Sequence, residues 1–71
     1  MKFSYFSDID TLYIDLADRP SVASDEVSPD IVLDLDADNN VVGIEIERAS
    51  SKVDLGNLSF SALPFQPTKI A

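Results

Sequence analysis

Apolar positions in this chain recur with a period of two rather than 3.6. Over residues 11–17, Leu12, Ile14 and Leu16 alternate with Thr11, Tyr13 and Asp15. Over 30–36, Ile31, Leu33 and Leu35 alternate with Asp30, Asp34 and Asp36, and over 41–48, Val42, Ile44 and Ile46 alternate with Gly43, Glu45 and Glu47. This pattern predicts strands with one buried and one wet face, as antiparallel sheets commonly have. The β-branched residues at many of these positions suit a pleated, half-buried surface. Two further strands are expected. Residues 2–6 are short and aromatic-rich, and 21–27 are polar enough for an edge. Turn residues separate them at 7–10, 18–20 and 28–30. Asp38-Asn39-Asn40 is the strongest turn, because Asn and Asp tolerate the left-handed backbone of tight hairpins.

Register follows from the requirement that residues facing each other across a pair share one side of the sheet. A two-residue loop at Asn39-Asn40, or a four-residue loop, sets Leu35 against Ile44 and Leu33 against Ile46. A three-residue loop would put Leu35 against Gly43 and the two apolar sets on opposite faces, so it is rejected. A four-residue loop over 7–10 sets Tyr5 against Leu12 and Phe3 against Ile14 by the same rule. After Arg48 the pattern changes. Residues 49–55 read as a helical turn or two stopped by Gly56-Asn57. Leu58, Phe60, Leu63 and Phe65 are then available to cover a sheet face, and Pro64 and Pro67 argue against a long terminal helix. The expected fold is mainly β with a short C-terminal helical segment, a β-rich α+β arrangement. It is a five-stranded antiparallel meander over residues 1–48, with a helix-and-coil tail over 49–71 packed on it, in a single domain.

A chain of 71 residues buries only about 60% of the surface its unfolded form exposes. Small domains usually gain stability from disulfides, a metal or oligomerisation. With no Cys and no His, disulfides, thiolate and imidazole metal sites and His-based triads are excluded. Oligomerisation or a bound partner remains, and a homodimer is the expectation. The 45% hydrophobic content suffices for a folded core, and no apolar run approaches the ~20 residues that cross a bilayer. Residues 1–5 lack the apolar stretch of a signal peptide, so the expected location is cytoplasmic.

The net charge is −8, and eight carboxylates lie between Arg19 and Arg48 with no Lys or Arg among them. Such a surface repels nucleic acid and anionic lipid and attracts a basic protein or a cation. The plainer reading is that acidity keeps a small protein soluble.

Three stretches carry a resemblance: Tyr5 through the acidic turn to Asp10-Thr11-Leu12-Tyr13-Ile14; Glu26-Val27-Ser28-Pro29-Asp30-Ile31-Val32-Leu33-Asp34; and Asp36-Ala37-Asp38-Asn39-Asn40-Val41-Val42-Gly43-Ile44-Glu45-Ile46 followed by Ala49-Ser50. In order and spacing they resemble the prokaryotic "domain of unknown function 2283" family over roughly the first 55 residues. Asn40 stands where a glycine is frequent after the acidic turn. The resemblance implies a small β-rich domain, carries no catalytic residues to transfer, and points toward an antitoxin-like or partner role.

Four constellations bear on chemistry. In the expected register Asp34 lies opposite Glu45 on the outer face, with Asp36 and Glu47 nearby. Like charges so placed are either well solvated or matched by the Lys and Arg of a partner. Tyr13 and Phe6 share that outer side, either as interface anchors or as residues covered by Leu58 or Phe60 of the tail. Asp36, Asp38, Asn40 and Glu47 fit positions 1, 3, 5 and 12 of a calcium loop. Val41 stands at the glycine position, however, and the strand pattern carries Glu47 away. Asp8, Asp10 and Asp15 offer paired carboxylates for acid–base work, but Asp8 and Asp10 read more simply as turn formers. The functional reading is therefore a non-catalytic interaction module with an acidic surface for a small basic protein, antitoxin-like in the concrete version. Its candidate partner-binding residues are Asp34, Asp36, Glu45, Glu47 and Tyr13. A self-assembling structural domain is the alternative, and an enzyme or cation-binding protein comes third. No cofactor is expected.

Overall fold

The structure, a computed structural model, describes residues 1–64. It consists of β1 (Lys2–Phe6), β2 (Thr11–Asp15), β3 (Ala23–Ser28), β4 (Ile31–Leu35), β5 (Val41–Glu47) and one helical turn, α1 (Ala49–Lys52). All strand pairs are antiparallel and form one sheet. Five strands and a short C-terminal helix match the expectation from the sequence, three of the strands coming from the alternation.

Strand order is β1-β2-β5-β4-β3, which corrects the simple meander: β2 neighbours β5, and β3 is an edge. Composition explains the choice. β3 reads Ala-Ser-Asp-Glu-Val-Ser and is exposed throughout, so it has no apolar side to place in the middle. β5 carries buried Val42, Gly43 and Ile46 and takes the central position. The connection 16–22 therefore runs along one end of the sheet from β2 to the far edge. It is fastened there as the Leu16 N–H donates to Val42 O at 2.9 Å and the Val22 N–H to Leu35 O at 2.8 Å.

The first hairpin has the expected register, Phe3 opposite Ile14 and Tyr5 opposite Leu12. The β4–β5 register is corrected by two residues. Leu33 faces Ile44, Ile31 faces Ile46, and Asp34 faces Gly43 rather than Glu45. The turn is also of the kind that parity appeared to forbid. Three residues, 37–39, lie between Asp36 and Asn40. The Asp36 N–H donates to Asn40 O, and the Asn39 N–H donates to Asp36 O at 3.0 Å. Asn39 adopts the left-handed conformation at φ 66°. A register shift between Asp34 and Leu35, where Leu35 faces Val41, leaves Val42 as an extra residue on β5 and restores the alternation.

The pairings stack side chains into rows. On one face Phe3, Ile14, Ile44 and Leu33 run across β1, β2, β5 and β4, beside Tyr5, Leu12, Ile46 and Ile31. On the other run Ser4, Tyr13, Glu45, Val32 and Glu26. The sheet is a single layer, and among the described residues the buried hydrophobics are Val42, Ile46 and Ala49.

The tail departs from expectation. α1 is one turn, capped by the Val53 N–H donating to Ala49 O, so the helix stops before Gly56 is reached. Leu58, Phe60 and Leu63 remain 54%, 41% and 40% exposed, and Phe65 lies outside the described residues. No helix among the described residues is long and apolar enough to cross a membrane.

Candidate functional site

Two aspartates organise the end of the sheet where β5 passes into α1. Asp10 closes the first hairpin at φ 50°. Its carboxylate accepts the Tyr5 hydroxyl at 2.7 Å, the Ser50 hydroxyl at 2.6 Å and the Ser50 N–H at 3.1 Å, while its carbonyl accepts the Ala49 N–H at 2.9 Å. Asp30, in the β3–β4 turn, is buried and takes both prongs of the Arg48 guanidinium at 3.0 and 2.7 Å. Lys52 Nζ stands 3.1 Å from the same carboxylate, and the Asp30 carbonyl accepts the Glu47 N–H at 2.8 Å. Arg48 itself is left-handed, at φ 51°. This is an unfavourable conformation for a long side chain, and here it makes the sharp exit from β5. Asp10 and Asp30 both stand in turns expected from the sequence, which gave no sign of their partners Ser50 and Arg48. The available signal was that both aspartates, and Ser50, fall in the stretches that carried the family resemblance.

At the opposite end Asp36 is buried and its carboxylate is fully occupied. It accepts the Asn40 and Asp38 N–H groups at 2.9 Å each, the Asn40 side chain at 3.2 Å and Arg19 Nε at 3.0 Å. Asp36 is thus the fastener of the turn. Glu47, the twelfth position of the calcium-loop spacing, stands at the far end of β5. Among the described residues no cluster of three or more His, Cys, Asp or Glu is placed to hold a metal ion.

The outer face brings together part of the expected constellation. Glu45 stands between Tyr13 on β2 and Val32 on β4, and Glu47 is exposed opposite Thr11. Tyr13 leans diagonally across the central strand and donates to Asp34 Oδ2 on β4 at 2.8 Å, where Ser24 also donates to Oδ1 at 3.2 Å. The tyrosine crosses above Gly43. A Cβ there would fall on its hydroxyl and within 2.8 Å of Cζ. Tyr13 and Asp34 are therefore committed to each other, a link hidden from the sequence because the predicted register set Asp34 two residues away from Gly43. Phe6 shares this side and is 48% exposed.

The ion pairs among the described residues are those of Asp36 with Arg19 and of Asp30 with Arg48 and Lys52. Asp15, Glu26, Glu45 and Glu47, all on the outer face, make none. Two open depressions lie at the end of the sheet holding the 16–22 connection. One is lined by Met1, Lys2, Asp15, Ala17 and Asp18, the other by Arg19, Pro20, Val22, Asp36, Ala37 and Asp38.

These contacts set a pH profile. The Ser50 and Tyr5 donors hold Asp10 below the usual carboxylate value of 3.8. Arg48 and Lys52 do the same for Asp30, as does the Asn40 N–H for Asp36. Each lowered group adds stability that is present above its unfolded value and lost as pH falls through its folded one. The hydrogen bond to the Asp34 carboxylate pushes Tyr13 from 10.0 to about 12. That contribution is complete below pH 10 and disappears as pH rises toward about 12. Thermal unfolding across pH should thus show destabilisation below about pH 4 and again above about pH 10. Tyr13→Phe should remove part of the alkaline loss while leaving the acid limb unchanged. An alkaline limb identical in Tyr13→Phe would contradict the assignment.

A family model described as "Protein of unknown function (DUF2283)" matches residues 2–50, more than half of the chain. Neither the curated proteins nor the solved structures gave a match.

Proposed function

We propose that this chain, which belongs to the DUF2283 family of proteins of unknown function, is a non-catalytic protein-interaction module whose outer sheet face receives a basic protein partner. The observation that carries the reading is the state of that face. Asp15, Glu26, Glu45 and Glu47 project from β2, β3 and β5 on the same side, and none makes an ion pair among the described residues, Lys2 of β1 being the cation that stands opposite Asp15. The acids whose charge is already spent, Asp30 and Asp36, lie at the two ends of the sheet. Asp34 and Tyr13 shape the floor of the face rather than offering free charge. The docking set is thereby narrowed to Glu45 and Glu47, flanked by Asp15 and Glu26, with exposed Phe6 as an apolar neighbour. An acidic protein masking the basic surface of another is the antitoxin-like form of this role.

A tagged chain incubated with lysate from its own host at physiological salt should retain one basic protein near-stoichiometrically and release it at high salt. The Glu45→Gln/Glu47→Gln variant should bind that protein roughly three- to tenfold more weakly, since exposed pairs are each worth only up to about 1 kcal/mol. Unchanged affinity in the double variant would remove the outer face as the docking surface. The rival reading, a self-assembling structural domain, draws its support from the other face.

A further inference from the structure

The sheet has two faces of opposite chemistry and, among the described residues, no second sheet or multi-turn helix to cover the apolar one. We infer that this apolar face is closed by the same face of a second copy, giving a two-layer sandwich with both carboxylate faces outward. Phe3, Leu12, Ile14, Leu33 and Ile44 form a continuous patch across four strands, and each is only half-buried within the protomer.

Size supports a second copy as the occupant. Five strands about 4.8 Å apart, each of five residues rising about 3.3 Å, give a flat footprint of roughly 400 Å². Two such faces together present about 800 Å² before the relief of their side chains is counted, close to the roughly 1,000 Å² at which association becomes specific. Charge supports the orientation. The outer faces carry unpaired carboxylates and repel one another, whereas the apolar face bears a single acid, Asp25, on edge strand β3. Apart from Asp25 at its edge and the Tyr5 hydroxyl, which is already bonded to Asp10, this apolar face offers no polar group to match and is complementary to itself, and two aligned sheets pack about 10 Å apart by interleaving such side chains. Stability supports the need. A 71-residue chain without cysteine, whose buried hydrophobics among the described residues are Val42, Ile46 and Ala49, has a thin core that pairing would reinforce. Folding and pairing are then one equilibrium, and stability depends on protein concentration. None of this requires the outer face to bind anything.

Sedimentation equilibrium of the full chain, joined to thermal unfolding over a hundredfold range of concentration, tests the pairing. The expected results are twice the 7.8 kDa protomer mass, a Tm that rises with concentration, and a dimer unweakened by high salt. Leu33→Ala should raise the dissociation constant about tenfold or more, and Leu33→Lys should abolish the dimer. Glu45→Gln/Glu47→Gln should leave it intact, which separates this result from the fate of the docking reading. A folded monomer with a concentration-independent Tm overturns the inference. So does a dimer that survives Leu33→Lys, because such a dimer joins by strand edges.

Discussion

Gly43→Ala is expected to lower stability by about 1–3 kcal/mol, the usual cost of inserting a methyl group into filled space. Thermal unfolding should show a Tm drop of roughly 4–8 °C for each kcal/mol. The reason is room, because no glycine here has a positive φ and the backbone at Gly43 suits any residue. The added Cβ would occupy the position of the Tyr13 hydroxyl and approach Asp34 Oδ2 to 3.3 Å. The phenol must swing away, and the Tyr13–Asp34 hydrogen bond goes with it. A double-mutant cycle gives this a sign. In a Tyr13→Ala background the space is empty, and alanine at position 43 should become neutral or stabilising by about 0.5–1 kcal/mol, because glycine is a poor strand residue. Additive effects of the two substitutions would mean that Tyr13 does not lie over the central strand.

The second large effect is expected at Asp30. Replacement by alanine removes the acceptor of the Arg48 fork and the Lys52 contact, leaving a left-handed arginine with nothing to hold it. Tm should fall by on the order of 5–10 °C. Amide exchange should accelerate first at Ala49 and Val53, whose N–H groups tie α1 to Asp10 and close its single turn. Asp30→Asn keeps a hydrogen-bond acceptor and loses the charge, and should fall between the two. Asp25→Asn, on the exposed edge strand β3, is the control and should change little. A junction that stays protected in Asp30→Ala would assign its order to Asp10 alone.

Much of this fold was legible because period-two alternation reports strands and faces directly. Leu12-Ile14, Leu33-Leu35 and Ile44-Ile46 marked three strands, and the loop over 7–10 fixed the first hairpin's register by parity. The same parity argument failed at the second turn because it assumes an uninterrupted ladder. The extra residue at Val42 let a three-residue loop and matched faces coexist, moving Asp34 from Glu45 to Gly43. Neighbour order was illegible for a different reason. Alternation says which way a side chain points and not which strand lies beside it. The polar composition of β3 was the available hint that it would be an edge. The carboxylate clusters were partly misjudged because charge was visible while partners were not. Asp10 reaches Ser50 across forty residues and Asp30 reaches Arg48 across eighteen, separations that no local motif signals.

The place of β5 has a consequence for how the chain comes into being. It is the central strand and, among the described residues, also the last, hydrogen-bonded to β2 on one side and β4 on the other. Until it leaves the ribosome, the nascent chain holds two separate hairpins, β1-β2 and β3-β4, which share no ladder. A two-stranded hairpin alone is marginal at best in water. Synthesis therefore cannot build this domain strand by strand from its N-terminus. Arrival of residues 41–47 joins the two hairpins in one step, and a chain that ends at Asn40 lacks the strand that unites them.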